Sequence, residues 1–380
     1  MSSLINYPLD SRPDKAKGTP STLSHLTQKE KISYQNRLLT LRLLIRDTNL
    51  SQRKLVKKTH LRASTISNIV NELRDVGIVE TGEAISSGRV GPPERALRIR
   101  TDAAWACGVE LDARGHWLTL INACGEVIAS ESLPARDHLE DTITELPAAV
   151  TRLRKALGLQ NSPNGGIAIS VPGIIDWKTG SIVFSRPFNL SNFPLQEKLA
   201  PLFDVPVWVD RNTVFGAYRE SFADNSHRVE NFAFFLARLG ISGNLNTERY
   251  SLGMAMVLEG KSYRGVNNAA GELDCHLFSD LPKNKKVSTE KFLQECGRYL
   301  ASLINLIDVS HLIVASDPRL LAPNNFDQLE TQVRKHLLPI PDRTFTMRRS
   351  AFEANGISEG GAIFALHRVL EAHLSEQLKK

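Results

Sequence analysis

The sequence predicts an α/β protein headed by a winged helix-turn-helix, and three observations predict it. The first hundred residues are basic and hold three helical runs followed by two short strands; beyond them strands and helices alternate. The length, 380 residues, gives room for two or three domains at ~150 residues each. A hydrophobic share of 42% against 23% charged excludes a wholly disordered chain. Residues 1–28, rich in Ser, Thr and Pro, read as a mobile tail, 29–100 as the winged helix, and 101–380 as the larger domain.

Net charge is +6, but it is unevenly spread. Residues 1–100 carry 18 Lys and Arg against 9 Asp and Glu, and the remainder carries 29 against 32. A basic head on a near-neutral body is expected to meet a polyanion. No charged-then-apolar leader pattern opens the chain and no run approaches ~18 apolar residues, so neither export nor a membrane span is expected. Four cysteines without Cys-x-x-Cys spacing argue against a disulfide framework or a zinc ribbon, and a reducing, cytoplasmic setting is expected.

Within the head, Ile32 to Arg46 is apolar enough for a helix buried around much of its circumference. Ser51 is placed to cap a second helix that keeps Leu55 and Val56 inside and Arg53, Lys54, Lys57 and Lys58 in water. In the third, Ile66, Ile69, Val70 and Leu73 fall at i, i+3, i+4 and i+7, and Gly77 stands where a left-handed cap would end it. The face opposite that stripe carries Arg62, Ser64, Thr65, Ser67, Asn68 and Asn71, short polar groups suited to base edges in a major groove. Arg89, in the Gly- and Pro-rich loop between the two strands, is expected to reach a minor groove or a phosphate of double-stranded DNA.

From residue 101 the segment WACGVELDARGHWLTLINACGEVIASESL reads as antiparallel strands turning at Ala113–His116 and again at Ala123–Glu126. A helix (DTITELPAAVTRLRKALG), a buried strand (GGIAISVPG), a turn (IIDWKTGSIV), a strand (VPVWVD) and a helix (TVFGAYRESF) follow.

The stretches AISVPGIIDWKTGSIV, PLQEKLAPLFDVPVWVDRN, VLEGKSYRGVNNAAGEL, LINLIDVSHLIVASD and GISEGGAIFAL, in that order, resemble the ROK family of sugar kinases and sugar-responsive repressors. SSGRVGPPERAL is similar to the wing of its regulator branch. The resemblance implies a two-lobed, actin-like ATPase fold behind the winged helix. It also implies a homodimer or homotetramer that represses carbohydrate-utilisation genes under a sugar or sugar-phosphate effector.

The departures from the family pattern carry as much information. The family's phosphate turn, Asp-x-Gly-Gly-Thr, stands here as Glu110-Leu111-Asp112-Ala113-Arg114, with side chains where glycines let backbone N–H groups approach an anion. The second phosphate loop is replaced by ARLGISGNLNTERYS, which keeps Gly240 and Gly243 but not the pattern. The Asn-Asp pair that supplies the kinases' base falls on Arg211 and Asn212, and an amide cannot take the sugar's proton. No ATP, no catalytic residue and no enzyme activity are therefore expected. Asn212 can bind a sugar or simply cap the helix that follows it.

Where the family places a zinc-binding His, this chain has Cys275, with His276 one place on and no cysteine cluster, short of the four ligands a structural zinc takes. No metal or other cofactor is expected. Glu272 matches the family's sugar-binding Glu, with His276 in reach of the same ligand; Asn189 or Asn192, and loosely Glu295, are further candidates. A body that serves only as a dimerisation scaffold, sensing no metabolite, is the alternative reading.

Overall fold

The computed structural model describes residues 27–47, 50–85, 94–136, 138–159, 162, 164–223, 229–242, 247–273, 288–317, 320–352 and 356–377. The head begins with α1 (Gln28–Arg46), α2 (Gln52–Thr59) and α3 (Ala63–Asp75), followed by the antiparallel pair β1 (Val79–Ile85) and β2 (Glu94–Ile99). The Ser51 hydroxyl accepts the Lys54 N–H at 3.2 Å and donates to Glu94 at 2.5 Å, so one side chain both starts α2 and ties it to the second wing strand. Helix α3 ends in a Schellman motif: Gly77, at φ 75°, donates to the Arg74 carbonyl and Ile78 to that of Leu73. Leu41, Leu44, Leu55, Ile66, Val70, Leu73 and Leu97 close the core between these elements.

The body contains two five-stranded sheets of one topology. The first lobe runs β3 (Trp105–Asp112), β4 (Gly115–Asn122), β5 (Val127–Leu133), α4 (Leu139–Ala156) and β6 (Gly165–Val171). A small meander, β7 (Ile174–Asp176), β8 (Ser181–Ser185) and β9 (Leu190–Phe193), leads to the short α5 (Leu195–Leu199). Strand β10 (Val207–Arg211) and helix α6 (Asn212–Ala223) complete the lobe. The second lobe runs β11 (Phe232–Ser242), β12 (Thr247–Leu258), β13 (Lys261–Tyr263), α7 (Thr289–Ile307), β14 (His311–Ser316), α8 (Pro323–His336), β15 (Thr346–Arg349) and α9 (Gly356–Gln377).

The sheet orders are β10-β6-β3-β4-β5 and β15-β14-β11-β12-β13; in each, three parallel strands are flanked by two antiparallel ones. This repeat of strand, strand, strand, helix, strand, helix, strand, helix is the duplicated actin-like fold that the family resemblance implied. A third strand beyond the Ala123–Glu126 turn, β5, and the three-stranded meander exceed what the sequence pattern resolved. Their inside-outside alternation is weak: β5 has no fully buried position.

The last helix of each lobe crosses to the other. Helix α9 lies against β3, β6 and β4, and α6 packs on β11 and β12 as well as along α9. The crossing is close: a Cβ on Gly108 would stand 1.7 Å from the Ser358 carbonyl oxygen, so no other residue fits there. Helix α1 of the head packs on α9, and one apolar cluster runs without a break from Leu41 and Leu44 through Leu366 and Leu370 to Phe215 and Tyr218. At this joint Arg42 pairs with Glu371 at 2.6 Å, and the Tyr218 hydroxyl meets His367 Nδ1 at 2.5 Å. Burial, reinforced by the neighbouring Arg42 charge, lowers His367 to about 3, so it is neutral at any ordinary pH.

Candidate functional site

On the head, Arg62 stands just before α3 in extended conformation, and Arg62, Ser64, Asn68 and Asn71 are exposed while Thr65 and Ser67 are half-buried. The apolar stripe of the same helix is fully used inside. The six side chains thus line the outer face of α3, with the exposed Lys54, Lys57 and Lys58 on α2. Arg89 lies outside the described residues, as does His276.

The cleft between the lobes divides into two halves. In the first, where the family's kinases turn around phosphates, the β3–β4 hairpin of one lobe faces the end of β11 in the other. Arg238 on β11 pairs with Glu110 and, at 2.8 Å, with Asp112. Arg114 folds back on Asp112 at 2.9 Å and reaches Asp317, just past β14, at 3.3 Å. Three carboxylates and two guanidiniums therefore bridge the lobes. Burial alone would lower the Arg238 guanidinium, but Glu110 and Asp112 raise it, so its charge is permanent. Burial pushes the Glu110 carboxyl up against the pull of Arg238, while Arg238 and Arg114 hold Asp112 low. Glu110 Oε2 is buried without a hydrogen bond. A phosphate here would meet a surplus of acceptors, no glycine turn, and a space already occupied by side chains.

The second half lies where β10 hands over to α6. Asp210 is fully buried and held by Arg264 through two contacts of 2.8 Å, and Arg264 lies over the Trp177 ring at 5.3 Å. Arg211 is also buried, its side chain 1% exposed. It donates to the Ala270 carbonyl at 2.7 Å and pairs with Glu272 at 3.5 Å. Glu272 is held to the sheet by a bridge to Gly253 on β12, where a Cβ would meet Thr213 in the first turn of α6. Burial raises the Glu272 carboxyl, and Arg211 works against that shift. Asn212, the first residue of α6, turns its side-chain oxygen onto the Thr213 N–H at 2.8 Å.

The geometry thus brings Glu272 and Asn212 to one corner, whereas Asn189, in a turn of the meander, and Asn192, on β9, stand exposed with left-handed backbone and Glu295 is half-buried on α7. Arg238, Asp317 and Arg264 are additional members that the sequence reading passed over. The charges inside the apolar runs FAFFLARL and ACGVELD, Arg238 in the first and Glu110 and Asp112 in the second, were the available signal, because a buried charge needs a partner somewhere. Among the described residues no group of His, Cys, Asp or Glu is poised to hold a metal, and no helix is long and apolar enough to cross a membrane.

The chain thus joins three helices and a two-stranded wing to two lobes of one actin-like topology. Residues 106–285 match the ROK family, and the domain belongs to it. The chain is 27% identical to the xylose repressor of Caldicellulosiruptor bescii over 63% of this chain and 57% of that one. To the repressor Mlc of Escherichia coli it is 28% identical over 43% of each. The chain thus spans under three-fifths of the length of these relatives. Among solved structures, a ROK family transcriptional regulator described as a homologue of Escherichia coli Mlc superposes with TM-score 0.69 at 18% identity, over 92% of this chain and all of that one. The ROK hexokinase of Thermus thermophilus superposes at 0.55 and 17%, over 70% and 99%. At these identities the structural likeness establishes the fold.

Proposed function

We propose that this chain is a sequence-specific, DNA-binding repressor of carbohydrate genes, acting in the cytoplasm as a homodimer or homotetramer, whose ROK domain binds a sugar effector and transfers no phosphate. The observation that carries it is the exposed polar face of α3 on a head packed against α9, the helix that closes the hinge between the lobes. Arg62, Ser64, Thr65, Ser67, Asn68 and Asn71 would read base edges and Arg89 the flanking backbone or minor groove. Glu272 and Asn212, with His276, would contact the effector. Support for the repressor role comes from the names of the relatives, and support for the loss of catalysis from the ion pairs in the nucleotide half and the amide at Asn212.

The route from ligand to DNA is short. Helix α6 starts at the effector corner, touches α9 through Tyr218 and His367, and α9 holds α1 through Glu371. A ligand that favours one lobe arrangement would shift α6 against α9 and so tilt the heads; it acts only by binding one arrangement more tightly. A scaffold without effector is the second reading, favoured by Arg211, which already fills part of the pocket. Capturing fragments of the source genome on the full chain at fixed salt, then eluting with sugars, tests both. Recovery of palindromic sites that a sugar releases is the expected result; fragments with no shared motif would overturn the reading, and palindromes that no sugar releases would leave the scaffold.

A further inference from the structure

Helix α4 has one face in the core and one that no described part of the chain covers. Leu139, Ile143, Leu146 and Val150 pack with Trp105, Cys107 and Val109 of β3 in one apolar cluster. Those β3 side chains alternate with Ala106, which belongs to the cluster of α9, so α4 lies on the far side of the first lobe's sheet from α9. On the outer face Asp141, Thr144, Ala148, Thr151 and Lys155 are all exposed. They alternate in steps of three and four, which keeps them on one straight seam of the helix.

The seam is polarised. Asp141, beside Glu140, is acidic in the first turn, Lys155 is basic in the last, and Thr144, Ala148 and Thr151 between them are small and uncharged. Asp141 and Lys155 stand seven residues either side of Ala148, about 10 Å along the axis at ~1.5 Å per residue. Arg152 and Glu145, next to the seam, are taken by Glu131 and Arg136. Around its middle Pro147, Ala148, Thr151, Arg152, Lys155 and Ala156 line a shallow, mostly apolar depression of about 800 Å3. A helix that fits there must be small in the middle and carry a base where this one carries an acid. The chain itself supplies that helix. Laid antiparallel about a twofold axis at Ala148, α4 sets Asp141 against Lys155 of a second copy at both ends, and the two helix dipoles oppose each other favourably.

We infer that α4 is the face through which two copies of this chain join, in an antiparallel contact centred on Ala148. This rests on the reading of the chain as a homo-oligomer and assigns the surface that makes it one. Small side chains at the centre let the two axes approach to the short end of the usual ~8–10 Å. The edge strand β5 runs beside α4, tied to it through Glu131 and Arg152, and carries the exposed Val127. That margin extends the contact beyond the helix pair, toward the ~1,200 Å2 at which stable interfaces begin. The contact leaves α9 and the joint with the head uncovered, so pairing and the movement of the heads use different surfaces.

The test is sedimentation of the full chain over a concentration series, beside variants at these exposed positions. The wild type is expected to form pairs, or pairs of pairs. Ala148→Arg, which sets two like charges on the axis, should halve the assembly by raising the dissociation constant of this contact about tenfold or more. Asp141→Lys should weaken it in the same direction, and adding Lys155→Asp, which exchanges the two ends, should restore it. Ala148→Cys, on the axis, should give a disulfide between copies in oxidised glutathione that the wild type does not form. Thermal unfolding reports whether each variant folds. Assembly unchanged by Ala148→Arg, or no disulfide from Ala148→Cys, would overturn the inference and leave a homo-oligomer joined by another face. A wild type that stays a monomer at every concentration would overturn both.

Discussion

The two halves of the cleft use arginine in opposite ways. In the nucleotide half Arg238 and Arg114 are consumed by Glu110, Asp112 and Asp317, and the group left wanting is an acceptor. In the other half Arg264 is held by Asp210, and Arg211 is buried against the Ala270 carbonyl with Glu272 at 3.5 Å. In one half the carboxylates that meet Arg238 are themselves buried, whereas the carboxylate that meets Arg211, that of Glu272, is 32% exposed. The lesson is that burial of an arginine does not by itself say how costly its loss is; whether its carboxylate partner can reach water does.

That contrast makes predictions of graded size. The largest concerns Arg238→Ala, which strands the fully buried Glu110 carboxylate. Loss of one partner of a buried pair costs about 3–5 kcal/mol, and urea unfolding should show it. A loss below about 1 kcal/mol would mean that the bridge contributes little and the contrast is false.

The hinge joining the halves gives the next. His367 has its pKa lowered to about 3, against an ordinary 6.5, so below pH 6.5 the unfolded chain takes a proton that the folded chain refuses. Stability should therefore be full above pH 6.5 and fall as pH drops from there toward 3, by about 2 kcal/mol at pH 5. His367→Gln should flatten that part of the pH profile of the unfolding midpoint; an unchanged slope would assign it elsewhere.

Arg211→Ala supplies the smaller effect. Its partner Glu272 can reach water, but the buried Ala270 carbonyl loses its donor, so unfolding free energy should fall by about 1–3 kcal/mol. A loss matching that of Arg238→Ala would place Arg211 in the framework and erase the difference between the halves. The smallest effect is none: Mg-ATP should give no saturable heat on titration, because backbone cannot approach phosphates past Asp112 and Ala113. Saturable binding would mean that Arg238 and Arg114 swing aside.

Local chemistry made much of this molecule legible in the sequence. Ser51, Gly77 and the i, i+3, i+4, i+7 stripe of α3 each depend on neighbours within a few residues, and each appears where spacing put it. The identity of the lobes also followed from short motifs. Illegible were the matches between distant segments: Arg238 meets Glu110 across 128 positions, and Arg264 meets Asp210 across 54. No periodicity encodes such pairs. The topological repeat of the two sheets escaped for a related reason, since it is conserved in strand order and not in residues. Arg211 was noticed only as a departure from the kinases' Asn, and its own chemistry became visible once its partners were known.

The joint between head and body bears on how such regulators diversify. Only residues 100–104 separate β2 from β3, and Ala123 and Cys124 of the body hydrogen-bond back to Thr101 and Ile99. With α1 resting on α9, the head is a graft whose fit depends on a helix at the far end of the chain. Recombination at this joint would therefore bring mismatched surfaces together unless α1 and α9 travelled as a pair. If the head reads DNA as proposed, new operator preference would arise by point substitution on the outer face of α3, and an engineered exchange of heads should succeed only when residues 34–45 and 366–374 are exchanged with it.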